Sequence, residues 1–151
     1  MTKMIVFDMD GTLANLYKVN NWLEKLRAFD PSPYADAAPI YSMVAINRLI
    51  TSLKAAGFRI AVTSWLSKES TPEYDAVTRK AKRERLEKYG FPYDEIHLVK
   101  YGTPKAKCTR GKADFQILVD DNAEVRASWT LGPTIDATKN IMDALSALIG
   151  G

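Results

Sequence analysis

A chain of 151 residues, 46% hydrophobic and 26% charged, carries enough apolar material for one domain with its own core. The formal charge of +3 is too small to mark a dedicated nucleic-acid protein, yet it does not repel anionic substrates. The single cysteine, Cys108, excludes an internal disulfide and suits a reducing compartment, and no apolar run approaches the roughly 20 residues of a spanning helix.

The expectation is therefore a soluble cytoplasmic protein with no membrane partner. Met1-Thr2-Lys3 leads straight into an apolar strand and not into a signal-like core.

Residues 4–7 read as a short buried strand that ends in Asp8. Trp22, Leu23, Leu26 and Phe29 fall at helical spacing and predict a helix over 21–29. Residues 30–39 hold three prolines and read as a loop, since proline donates no backbone hydrogen bond. Val44, Ile46, Leu49, Ile50 and Leu53 give one apolar face to a helix over 41–56, which Gly57 ends.

A second strand covers 58–62 and ends in Thr63-Ser64. Pro72-Glu73 opens a long helix that closes at residue 89, before Gly90. Its basic run, Arg79-Lys80-Ala81-Lys82-Arg83-Glu84-Arg85, reads as a solvated face, with Glu84 and Glu87 as local partners. The third strand, 95–99, contains His97, which alternates with apolar neighbours and receives no catalytic role. Residues 100–112 form a basic loop. The fourth strand, 115–119, ends in Asp120-Asp121, and helices over about 123–129 and 139–149 complete the chain.

Alternating strands and helices predict an α/β fold: a three-layer, Rossmann-like open sheet, mostly parallel, with helices on both faces. The whole of 1–151 forms one domain, with at most a small helical lid at about 17–39. Ligands in such sheets bind beyond the carboxyl ends of the strands. Three predicted strands end there in reactive groups: Asp8, Thr63-Ser64 and Asp120-Asp121.

Asp8 and Asp10 stand two apart at a strand end, so both carboxylates can face one bound group. Gly11-Thr12 then permits a tight turn that aims amide N–H groups at an anion. The bland alternative is an Asp-Gly turn after a core strand. Thr63 or Ser64 could hydrogen-bond a phosphoryl oxygen, although Thr-Ser after a strand is more often a turn or a helix cap.

The adjacent acids Asp120 and Asp121 repel each other unless a cation lies beside them, and magnesium prefers such oxygen ligands. The rival reading makes one of them a cap of the next helix. A lysine is needed to neutralise phosphate and acids. Lys105 lies in a loop beyond the third strand, on the edge where the acids gather; Lys112 lies at the opposite end of the sheet. Lys105 is preferred.

Asp8-Met9-Asp10-Gly11-Thr12, Thr63-Ser64, Lys105 and Asp120-Asp121, in this order, resemble the four motifs of the haloacid dehalogenase-like (HAD) superfamily. The first and fourth motifs are specific, whereas the second and third count through order and spacing. The resemblance implies that Asp8 attacks phosphorus and Asp10 acts as general acid and then base. It further implies that Mg2+ is held by Asp8, the backbone carbonyl of Asp10 and one or both of Asp120 and Asp121. Thr63 or Ser64 and Lys105 hold the phosphoryl oxygens, and Gly11 and Thr12 complete the phosphate-binding turn.

Asp10 separates this chain from the dehalogenases, which lack the second aspartate, and from the ion pumps, which carry threonine there. The short chain looks most like small 5′(3′)-deoxyribonucleotidase-like and phage-type phosphatases. A small or absent lid suits a nucleotide, a nucleic-acid end, another phosphorylated small molecule or a phosphoprotein, or a site covered by a second subunit of a homo-oligomer. Trp65 either stacks on a base or packs, as Trp22 and Trp129 do. The rival from another class is a non-catalytic phosphate-binding module, against which the complete set of acids argues.

Overall fold

The computed structural model describes residues 1–150. Its five strands are β1 (Lys3–Phe7), β2 (Phe58–Trp65), β3 (Glu95–Val99), β4 (Phe115–Asp120) and β5 (Thr134–Asp136). They lie side by side as β3-β2-β1-β4-β5, and every pairing is parallel. The strand order winds outward from β1 in both directions. A switch point therefore falls between β1 and β4, where doubly wound sheets open a crevice.

The helices are α1 (Trp22–Arg27), α2 (Ser32–Asp36), α3 (Met43–Ala55), α4 (Pro72–Tyr89), α5 (Lys105–Thr109), α6 (Ala123–Ser128) and α7 (Ile141–Ala147). Alternation along β1 sorts them into layers. Ile5 and Phe7 pack with Ile46, Ile50 and Leu53 of α3 and with Ile141 and Leu145 of α7. Met4 and Val6 face Ala106 of α5, Val125 of α6 and Trp129. Both faces of the sheet are thus covered, and β1 is fully buried from Met4 to Phe7.

The α3 stripe shows why pattern decides this element. Ile46, Ile50 and Leu53 are buried, and each such side chain contributes roughly 1.5–3 kcal/mol. That exceeds the propensity penalty of the β-branched residues in the same helix, which is below about 1 kcal/mol each. Ser42 caps it by accepting from the Ala45 amide.

The long helix α4 and strand β3 form over the residues expected. Elsewhere tertiary context moved the boundaries. Residues 30–39 are not all loop, because α2 forms at Ser32–Asp36 with Pro33 in its first turn, where a missing N–H costs nothing. Strand β2 runs on to Trp65, so Thr63 and Ser64 lie inside it, opposite His97 and Leu98 of β3. The basic loop contains α5, and the three-residue β5 gave no periodic signal. The last helix is shorter than expected, since Asn140 caps it by accepting from the Met142 amide.

Residues 17–39 carry α1 and α2 on top of α4. Leu16 and Tyr34 pack there with Tyr74 and Ala81, and Trp22 and Leu26 close the cluster. Among the described residues no helix is long and apolar enough to cross a membrane.

Candidate active site

The carboxyl ends of β1, β2 and β4 converge on one cleft of about 500 Å³. Asp8 extends β1 by donating its amide to the Val119 carbonyl at 2.9 Å. The chain then turns at Gly11, whose φ is +82°. A Cβ at that position would overlap Asp121 Oδ2 and the Tyr17 ring, so glycine is required both by the turn and by the acid beside it.

The amides of this turn are spent internally. Gly11 donates to the Ala14 carbonyl at 2.8 Å and Thr12 to the Met9 carbonyl at 3.3 Å. The expected amide donors for an anion therefore do not come from these two residues. The Thr12 hydroxyl instead donates to Asp8 Oδ2 at 3.3 Å and orients that carboxylate.

Lys105 opens α5 and is almost fully buried. Its Nζ donates to Asp8 Oδ1 at 2.8 Å and to Asp120 Oδ2 at 2.7 Å. Lys112, the less favoured candidate, pairs with Glu95 at 3.0 Å and does not line the cleft.

Asp120 ends β4 and Asp121 follows it. The helix-cap alternative is displaced, because Asn122 caps α6 by accepting from the Glu124 and Val125 amides. Asp120 accepts from the Asn122 amide at 2.9 Å through Oδ1 and from Lys105 through Oδ2, and both it and Asp121 line the cleft. Asp8, Asp120 and Asp121 each offer a carboxylate oxygen within 4.8 Å of the others. This all-oxygen set, with room left for water and substrate oxygens, fits magnesium. The Asp10 carboxylate lies outside it.

The electrostatics follow from this crowding. Burial, and then the charge of Asp8, push Asp120 above the usual carboxylate range, although Lys105 opposes the shift. Burial and Asp8 push Asp121 up to about 8. Asp10 is raised by burial, with Lys82 opposing. Burial works against the Lys105 ammonium, yet Asp8 and Asp120 hold it above the ordinary lysine value. A cation placed among these acids would relieve the repulsion directly.

On β2 the two hydroxyls differ. Ser64 lines the cleft, whereas the fully buried Thr63 hydroxyl has no protein partner. The cleft wall is aromatic: Tyr17 and Trp22 meet edge to face at 4.9 Å between ring centres, and Trp65 and Tyr101 also lie 4.9 Å apart. Trp65 Nε1 donates to the Thr103 carbonyl at 2.8 Å, which fixes its ring beside the site. Arg27 and Lys68 complete this wall. Trp129, by contrast, packs in the core beneath α6.

The basic run of α4 conceals a site residue. Lys82 is fully buried and contacts Asp10, contrary to the solvated face expected of it. A signal was available. Tyr74, Thr78, Ala81, Lys82, Leu86 and Tyr89 form the inward stripe of α4, and Lys82 sits four residues from both Thr78 and Leu86. Lys80, on the other side, makes the expected exposed pair with Glu84.

No protein-family model matches this chain, and no curated protein matches it. Among solved structures it is similar to the D,D-heptose 1,7-bisphosphate phosphatase from Burkholderia thailandensis. The two share 12% identity with a TM-score of 0.58, over 99% of this chain and 100% of that one. At that identity the likeness establishes a common α/β fold.

Proposed function

We propose that this chain is a HAD-type, magnesium-dependent phosphomonoester hydrolase that works through an aspartyl-phosphate on Asp8. The observation that carries the reading is the convergence of Asp8, Asp10, Lys105, Asp120 and Asp121 on one cleft at the carboxyl edge of the sheet. The fold shared with a phosphatase supports it.

In the first step an Asp8 oxygen forms a bond to phosphorus while the bond from phosphorus to the leaving oxygen breaks. Asp10 gives its proton to that oxygen. In the second step Asp10 takes a proton from water, the water oxygen bonds to phosphorus, and the Asp8 carboxylate is released with inorganic phosphate. Lys105, with Ser64 of the cleft wall, holds the phosphoryl oxygens as their charge grows. Asp8, Asp120 and Asp121 would hold magnesium, with the Asp10 backbone carbonyl as a further ligand. When bound, the ion supplies charge neutralisation between the nucleophile and the phosphate.

The substrate class we infer is a nucleotide or a nucleic-acid end. Tyr17, Trp22, Trp65 and Tyr101 give flat apolar surface on which a base can stack. Arg27 and Lys68 add positive charge on the same wall. The test is a magnesium-dependent hydrolysis panel of nucleotides, 3′- and 5′-phosphorylated oligonucleotides, sugar phosphates, a phosphopeptide and a generic aryl phosphate. Nucleotides or oligonucleotides should turn over fastest, and chelation should stop the reaction. Preference for a sugar phosphate or phosphopeptide would overturn the substrate class. Silence on every substrate would favour a non-catalytic phosphate-binding module.

A further inference from the structure

Lys82 is a fully buried charge behind the cleft-lining Asp10 and Ser64, and the proposed reaction does not use it. It reaches inward from the middle of α4 with a side chain that is 0% exposed. Its three N–H bonds have three acceptors, each at 2.8 Å: Asp10 Oδ2, Ser64 Oγ and the Trp65 carbonyl. The Tyr34 ring lies 4.8 Å from the same nitrogen. An ammonium has three donors, so this one is saturated and has none left for substrate.

Burying a lysine sacrifices its hydration unless its partners are well placed. An apolar residue here would fill the α4 stripe without that cost. What the lysine adds is a rigid tie between three elements: α4, the turn after β1, and the end of β2.

We propose that Lys82 is a positioning residue that locks the Asp10 carboxylate, and with it the Ser64 hydroxyl, in the orientation needed at the leaving-group side of the phosphate. With Oδ2 committed to Lys82, Oδ1 of Asp10 is the oxygen that delivers the proton to the leaving oxygen. The proton passes from Asp10 Oδ1 as the bond from phosphorus to that oxygen breaks and the Asp8-phosphorus bond forms. A misplaced carboxylate loses this transfer while nucleophilic attack by Asp8 persists. The proposal rests on the phosphatase reading.

The separating experiment uses leaving groups. Activated aryl phosphates expel a stable phenolate and need little protonation, whereas alkyl phosphates need it fully. Lys82→Met and Lys82→Gln should lower kcat for an alkyl phosphate about 100-fold or more and for a dinitrophenyl phosphate less than about tenfold, as general-acid loss does. In an Asp10→Asn background, Lys82→Met should add no further leaving-group sensitivity. Lys82→Arg, which keeps a donor, should restore part of the alkyl rate.

Equal losses for both substrates would overturn the positioning role, as would failure of both variants to fold, which would assign Lys82 to the fold alone. If the wild-type protein hydrolyses neither ester, the phosphatase reading itself fails. Wild-type turnover with unchanged leaving-group sensitivity in the variants removes only the role of Lys82.

Discussion

Replacing Lys105 by alanine withdraws the one ammonium that bridges Asp8 and Asp120, at 2.8 Å and 2.7 Å. Its side chain is 4% exposed, so water does not readily take its place. Breaking such a buried pair costs about 3–5 kcal/mol of stability, which at this chain length lowers Tm by about 10 °C. Protonation limits the loss: burial and Asp8 already push Asp120, a partner of Lys105, above the usual carboxylate range, so the deficit should shrink at acid pH. For turnover, loss of a donor aimed at developing phosphoryl charge costs about 100- to 1,000-fold in kcat.

Lys112→Ala is the matched control. That lysine is 40% exposed, pairs with Glu95 at 3.0 Å and does not line the cleft. An exposed pair is worth about 0–1 kcal/mol, and activity should stay within about twofold of wild type. Thermal unfolding at several pH values and steady-state hydrolysis of an aryl phosphate measure both. A Lys112→Ala variant more damaged in kcat than Lys105→Ala would refute the assignment.

The metal-free protein should lose stability as pH rises from about 4 to about 8. The folded-state value of Asp121 is about 8 against an ordinary 3.8, so the native state holds a proton that the unfolded chain has released. Stability then falls with rising pH through that window. Denaturant melts should show this slope, and magnesium should flatten it near neutrality; a slope of opposite sign would count against the crowded-acid picture. Gly11→Ala should cost about 1–3 kcal/mol for the forced φ of +82°. It should also lower metal affinity, because the new Cβ would displace Asp121; calorimetric titration with magnesium that matches wild type would argue otherwise.

The legible parts of this protein were those where period and punctuation agree. Helix α4 opens on proline and closes on Gly90 with a φ of +69°, and both ends were readable. Strand β4 and its acids were readable because a continuous apolar run delivers Asp120 to the sheet edge. Lys105 was legible through its place after β3, though not as the first residue of α5. That helix spans five residues and is held by its surroundings, not by its own sequence.

Lys82 was hidden for a different reason. Charge composition along a helix reports its average face, while burial is decided residue by residue on the inward stripe. Thr63 and Ser64 illustrate the limit set by strand ends: both lie within β2, and only the three-dimensional packing shows that Ser64 reaches the cleft.

The central claim is that Asp8 becomes phosphorylated during turnover. Rapid acid quenching of the magnesium-loaded protein with radiolabelled substrate measures it directly. The account predicts protein-bound phosphate that hydroxylamine releases, present in the wild-type protein and absent from a folded Asp8→Asn variant that has also lost turnover. Undiminished hydrolysis by Asp8→Asn, or label that persists on it, would contradict the account.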